Sequence, residues 1–220
     1  MLNNIKAAIF DLDGTLIDSM GIWEKIDKDF LERRGIAVPL GLKNYIEHLS
    51  FMDTAKYFKD KFNLSETIEA IMDEWNSMAY YGYSKTVPLK PGAKEYLEYL
   101  ITKGIKLALA TSNSHVLLEA VLKNNGVFEY FESITTTIEV DRGKNHPDIY
   151  LLTAKKLGVA PKQCMVFEDI LPAVIGAKTA EMKVIAIYDK YSEHQREAIL
   201  KNSDYYIYEY KELINFSKLF

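Results

Sequence analysis

Six short runs, most of them apolar, are separated by stretches with apolar residues at helical spacing, and this leaves the 220-residue chain few folds to adopt. The runs are residues 5–10 (IKAAIF), 105–110 (IKLALA), 133–137, 164–167 (CMVF), 183–188 (KVIAIY) and 205–208 (YYIY). They lack polar–apolar alternation, so they read as strands buried on both faces, as in a parallel sheet. Helical patterns over 91–103, 114–124, 147–157, 172–180 and 192–200 fall between them. Several of these open with Pro or Ser, and Gly104 and Gly158 close two of them. Strand and helix in repeated succession define an α/β class with a Rossmann-like parallel core.

One interval breaks the succession. Nearly a hundred residues separate the first two runs, and apolar residues recur at helical spacing around 19–34, 43–62 and 65–81. The expected organisation is a core of residues 1–16 and 86–220 interrupted by an α-helical cap of residues 17–85. The hinges are expected near 16–18 and 82–88.

The formal net charge of −4 supplies no general attraction to nucleic acid polymers or anionic membranes, so an anionic substrate must be captured by a local site. A single cysteine, Cys164, excludes an intrachain disulfide. The first apolar stretch ends at Asp11, too early for a secretory core, and no run reaches the roughly 20 residues of a membrane helix. A cytoplasmic monomer is expected.

Ligands of open parallel sheets bind beyond the carboxyl ends of the strands. The first run is followed there by Asp11, Asp13, Gly14 and Thr15, and the second by Thr111, Ser112 and Asn113. The third is followed by Arg142, Gly143 and Lys144, and the fourth by Glu168 and Asp169. Taken singly, each has a plain structural reading: a turn, a helix cap, a surface lysine. An EF-hand fails on spacing, because Leu16 and Ile22 stand where glycine and glutamate are required. Placed together, the carboxylates repel one another and need a cation, and oxygen ligands suit Mg²⁺. A metal, a lysine and hydroxyl or amide donors around one point form a phosphate cradle. A carboxylate beside it can attack phosphorus, and a second, two residues on, can move the proton.

The stretches "FDLDGTLIDS", "LALATSNS", "GKNHPDIYLLTAKKLGV" and "VFEDILPAVIGAKTAEM" resemble, in order and spacing, the four motifs of the haloacid dehalogenase superfamily. The helical insert resembles the cap of its β-phosphoglucomutase and phosphoglycolate phosphatase subgroup. The resemblance implies that Asp11 is nucleophile and metal ligand. It makes Asp13 the general acid/base, with its backbone carbonyl on the metal. Thr111, Ser112 and Asn113 would hold phosphate together with Lys144, which also orients Asp11. Asp169 would bind Mg²⁺ directly, and Glu168 through water. Asn145, Ile170 and Ala173 depart from the residues usual beside these motifs.

The cap-facing positions of the mutases carry a histidine and an arginine, and Trp23 and Phe51 fall at or near these here. Aromatic residues there suggest a less charged leaving group, although aromatics at helical spacing are commonly cap core. The expected activity is a Mg²⁺-dependent phosphatase acting on a small phosphomonoester through an aspartyl phosphate. A phosphosugar mutase and a non-catalytic phosphate-binding protein are the alternatives. "DYYIYEY" is expected to be an edge strand with its turn, and His146 a loop residue.

Overall fold

A computed structural model describes residues 2, 4–47 and 49–217. Strands β1 (Ala7–Phe10), β2 (Lys106–Thr111), β3 (Ser133–Thr136), β4 (Cys164–Glu168), β5 (Lys183–Ile187) and β6 (Tyr205–Ile207) form one parallel sheet in the order β3-β2-β1-β4-β5-β6. The order runs outward from β1 in one direction and then from β4 in the other. The crevice between β1 and β4 is therefore the topological switch point, where such sheets bind ligands.

Both faces of the sheet are covered, which is why its strands read as unbroken apolar runs. Ala8, Phe10, Leu107, Leu109, Met165 and Phe167 point to one face and pack on helices α5 (Ala93–Thr102), α6 (His115–Asn124) and α10 (Tyr210–Ser217). Ala7, Ile9, Ala108, Ala110, Cys164 and Val166 point to the other, against α7 (Asp148–Leu157), α8 (Leu171–Thr179) and α9 (Arg196–Asn202). Phe10 and Phe167, paired in register across β1 and β4, stack with ring centroids 4.3 Å apart. Phe10 and Phe167 thus fix the spacing of the two strands that end in carboxylates.

Between β1 and α5 the chain is helical: α1 (Met20–Glu32), α2 (Leu42–Ile46), α3 (Phe51–Lys61) and α4 (Ile68–Lys85). Phe30, Phe58 and Trp75 form its aromatic centre, with centroids 4.9–6.0 Å apart. Arg34 lies over the Phe30 ring at 3.7 Å and pairs with Glu66 and Glu74 at 2.7 and 2.6 Å. The two chain crossings run side by side, with Lys90 N donating to Leu16 O and Asp18 N to Pro88 O.

Several boundaries differ from the sequence expectation. The pattern over 43–62 is two helices, because the Ser50 hydroxyl accepts the Asp53 N–H and starts a new one. The helix expected over 65–81 begins after the Thr67 cap and continues through Gly82 to Lys85. The stretch 192–200 splits into a 3₁₀ turn, Glu193–Gln195, and α9. Helix α10 was not expected at all. Tyr205–Ile207 is the edge strand expected from "DYYIYEY". Among the described residues no helix is long and apolar enough to cross a membrane.

Candidate active site

Asp11, Asp13, Thr111, Ser112, Asn113, Lys144, Glu168 and Asp169 line a cavity of about 400 Å³ between the sheet edge and the helices of residues 20–85, whereas Arg142 is exposed and pairs with Asp148 at 2.8 Å. Asp11, Glu168 and Asp169 are all buried, and one oxygen from each lies within 4.8 Å of the others. Lys144 comes from the turn before α7 and donates to Asp11 Oδ1 at 2.6 Å, and it also pairs with Glu168. Tyr150 OH donates to Glu168 Oε1 at 2.8 Å. Thr15 Oγ1 donates to Asp169 Oδ1 at 3.1 Å.

Three buried carboxylates against one lysine leave excess negative charge. Burial pushes Asp169 up to about 7, with Asp11 and Asp189 adding to the effect and Lys90 and Lys144 opposing it. Burial also drives Glu168 well above the ordinary carboxylate range, against the pull of Lys144. For Lys144 burial works against its charge, but Asp11 and Glu168 hold it above the usual lysine value, so it stays a cation. Among the described residues Glu168 Oε2 is buried without a hydrogen-bond partner. A cluster made only of oxygen donors, one of them unsatisfied and all short of positive charge, fits a divalent cation.

Gly14 makes the close approach possible. Its φ of +80° belongs to the left-handed region, and a Cβ there would lie 2.5 Å from Asp169 Oδ2. The backbone can therefore turn directly beneath the metal-type cluster, aiming Asp11 and Asp13 in different directions.

Asp13 has a separate set of partners. Its Oδ1 accepts from Ser19 Oγ at 2.6 Å, from Trp23 Nε1 at 3.3 Å and from Tyr83 OH. Its Oδ2 accepts from Asn113 Nδ2 at 2.7 Å. The direction of the Tyr83 proton follows from its neighbours. Trp23 Nε1, a donor only, lies 2.6 Å from the Tyr83 oxygen, and Asn113 Nδ2 lies 3.2 Å away. With both acceptor sites taken, the phenol can only donate, and Asp13 receives it. The Asn113 amide is oriented in turn, because its Oδ1 accepts the Ser114 N–H at 2.7 Å. Burial raises the Asp13 pKa, while Ser19, Tyr83 and Asn113 counteract it.

Thr111 is buried at the end of β2, and its hydroxyl accepts the Asn113 N–H at 3.0 Å. This bends the loop 111–113 around the cavity floor, where Ser112 also faces inward. Phe51 lines the cavity and meets Trp23 edge-on, centroids 5.9 Å apart. Trp23 and Phe51 are thus both cavity wall and part of the aromatic packing. Ile170 cannot cap α8, and Gln195 does so instead, accepting Leu171 N at 2.7 Å through Oε1. The Gln195 amide donates on to Glu47 Oε1 at 2.6 Å, tying α8 to the end of α2. Asn145 sits exposed in the Lys144 turn, and Ala173 is buried in α8. His146 lies in the same turn, 3.5 Å from Arg142.

Sequence reasoning missed Tyr83, Ser19, Tyr150 and Lys90. Lys90 is buried and donates to Asp189 Oδ2 at 2.8 Å and to Tyr188 O at 2.7 Å. Ser19 and Tyr150 lie inside two of the motif stretches, at positions to which the resemblance assigns no role, and Tyr83 and Lys90 lie outside all four. Only the helical spacing of Tyr83 within α4 could have marked it as inward-facing. Cys164 is buried and its thiol is pushed up to about 11 by burial, which removes it as a nucleophile.

A switch-point crevice lined by carboxylates, a lysine and a loop of polar donors defines a Rossmann-like α/β enzyme. The chain belongs to the haloacid dehalogenase-like hydrolase family, whose sequence model matches residues 5–181. It is 32% identical over 191 residues to the putative phosphatase YhcW of Bacillus subtilis, covering 84% of each chain. To the phosphorylated carbohydrates phosphatase of Thermotoga maritima it is 31% identical over 194 residues, covering 82% of this chain and 84% of the relative. The fold matches β-phosphoglucomutase from Clostridium difficile with a TM-score of 0.80 at 22% identity, covering 95% of this chain and 93% of that one.

Proposed function

We propose that the protein is a Mg²⁺-dependent phosphatase that hydrolyses a small phosphorylated carbohydrate through an aspartyl phosphate on Asp11. The separation of Asp11 and Asp13 into two networks carries this reading. Asp11 is held by a lysine among metal-type carboxylates, and Asp13 by neutral hydrogen-bond donors on the cavity side. One group is arranged to attack, the other to exchange a proton.

In the first half-reaction an Asp11 oxygen attacks phosphorus and the bond to the leaving oxygen breaks. Asp13 delivers its proton to that oxygen. In the second, Asp13 takes a proton from water as the water oxygen attacks phosphorus, and the Asp11–phosphorus bond breaks to release phosphate. Thr111, Ser112, Asn113 and Lys144 would hold the phosphoryl oxygens. Asp11, Asp169 and the Asp13 carbonyl would hold Mg²⁺, with Glu168 reaching it through water; the ion would neutralise charge on the phosphoryl group.

Residues 17–85 are proposed to act as a cap on a core of residues 1–16 and 86–220, pivoting where the two crossings pair. Closure would exclude bulk water and deliver Trp23 and Tyr83 to Asp13. A mutase must bind a second phosphate on the cap side. Among the described residues, those of the cap that line the cavity include Glu24, Asp27 and Glu47 against one cation, Lys43, and this charge balance disfavours a bisphosphate.

Phosphate release from a panel of phosphomonoesters in Mg²⁺, with no bisphosphate primer, tests the reading. Turnover should fall by about three orders of magnitude or more in Asp11→Asn, the scale of losing a covalent nucleophile. Undiminished hydrolysis in that variant would sink the assignment.

A further inference from the structure

Helix α1 presents one face to the cavity. Met20, Trp23, Glu24 and Asp27 line it at the i, i+3, i+4, i+7 spacing of a single helical stripe. Trp23 touches Asp13, where the leaving oxygen must sit. Asp27 lies one turn further, a rise of about 6 Å along the axis. Leu42, Ile46, Leu49 and Phe51 are among the apolar residues that line the same cavity.

Asp27 is anomalous in this setting. It is partly buried in the cavity wall, and among the described residues it makes no hydrogen bond or ion pair. Burial pushes its carboxyl up to about 7. An unpartnered carboxylate in largely apolar surroundings is costly, and a protein keeps one where a ligand supplies the missing donor. A second wall residue shows the same deficit. Glu47 uses Oε1 to accept from Gln195, while Oε2 is buried with no partner among the described residues. Lys43 and Thr54 line the same space, but Lys43 Nζ donates to Tyr191 O and Thr54 Oγ1 to Ser50 O at 3.0 Å, so the wall offers mainly acceptors. Hydroxyl groups, which donate, match such a wall. A second phosphate or a carboxylate would meet Glu24, Asp27 and Glu47 and be repelled.

We propose that Asp27 is the specificity-determining residue of this site, accepting a hydrogen bond from a hydroxyl of a neutral polyol leaving group, with Glu47 as a second acceptor. This rests on the phosphatase reading above and names the residue that selects its substrate. The substrate class is a linear or cyclic polyol monophosphate long enough to pass Trp23 by one helical turn. Asp27 acts in binding and leaves the reacting atoms to Asp11 and Asp13.

The test compares hexitol 6-phosphate with n-hexyl phosphate, which has similar length and no hydroxyls, on the full chain in Mg²⁺. Wild type should prefer the hexitol ester. Asp27→Leu should lower kcat/KM for the hexitol ester by about tenfold or more, the loss of one hydrogen bond to a charged acceptor. It should leave or improve hydrolysis of the hexyl ester and leave inhibition by inorganic phosphate unchanged. Equal effects on both esters would overturn the proposal. So would a wild-type preference for 6-aminohexyl phosphate that is lost in Asp27→Asn, because the donor would then be an ammonium. Calorimetric binding of hexitol 6-phosphate to Asp11→Asn, with and without Asp27→Leu, reads the same contact without turnover. If that affinity falls tenfold while wild type hydrolyses no ester, the phosphatase reading fails and Asp27 stands. If hydrolysis is sound and neither affinity nor selectivity moves, Asp27 is wrong.

Discussion

Asp13 shows how much a single side chain depends on neighbours distant in sequence. Its carboxylate receives Ser19 and Trp23 from the start of the helical segment, Tyr83 from its last helix and Asn113 from the loop after β2. Tyr83 is fully buried and its hydroxyl is driven well above the ordinary phenol range, first by burial and then by Asp13 itself, so it donates and never ionises. Tyr83→Phe removes that donor while keeping the ring against Trp23, whose centroid lies 6.1 Å away. The expected result is a fall in kcat of about tenfold, from a charge-assisted hydrogen bond worth on the order of 1.5–3 kcal/mol. The sign on pH follows from the donor's role: Tyr83 lowers the Asp13 pKa, so its loss moves the kinetic limb belonging to Asp13 to higher pH. A variant that loses activity with an unmoved pH profile would make Tyr83 merely a packing residue. Asp11, Asp13, Lys144, Glu168 and Asp169 were legible because their spacing relative to strand ends is local. Tyr83 and Asp27 were not, because their roles exist only once α1 and α4 lie over the sheet.

At the level of elements, α8 sets the position of a residue it does not contain. Gly176 lies in that helix, and a Cβ there would overlap the backbone oxygen of Lys144 and come within 2.8 Å of that of His146. The Lys144 turn therefore rests directly on the helix backbone. Gly176→Ala should push the turn away, lengthen the Lys144–Asp11 contact and destabilise the fold by about 1–3 kcal/mol, the usual cost of overpacking. Chemical denaturation would measure the stability, and phosphate release the activity. If the variant keeps both, the turn has more freedom than the close packing implies. The sequence pattern placed α8 correctly to within a residue or so, yet could not separate this glycine from a mere helix weakness, since the contact lies across the chain. Other elements show the same limit. Ser50 is an ordinary helix cap, but inside a continuous apolar pattern its break was invisible. Helix α10 was missed because its buried residues, Tyr210 and Leu213, follow a strand by only a short turn and read as its continuation.

Across the whole molecule, the site is a concentration of cost that the two sheet faces must support. Phe10, Phe167 and Tyr210 pack beneath the strand ends, and their burial offsets three carboxylates gathered at one edge. Such an arrangement trades stability for function, and a bound cation should restore part of it. Asp169 makes the trade measurable. Its folded value of about 7 lies above the roughly 3.9 of an unfolded aspartate. In metal-free protein its contribution is therefore fully favourable below about pH 4 and lost as pH rises through 7. Asp169→Asn carries no such loss. In metal-free buffer the variant should melt above wild type, and the gap should widen from pH 5 to pH 8. A gap of at least about 3 °C at pH 8 corresponds to roughly 1 kcal/mol in a chain of this size. Adding Mg²⁺ should raise the wild-type melting temperature at pH 8 and leave the variant nearly unmoved. A wild-type curve indifferent to Mg²⁺, with the variant no more stable at either pH, would mean that the cluster is not a metal site. The orphaned Glu168 oxygen would then need another explanation.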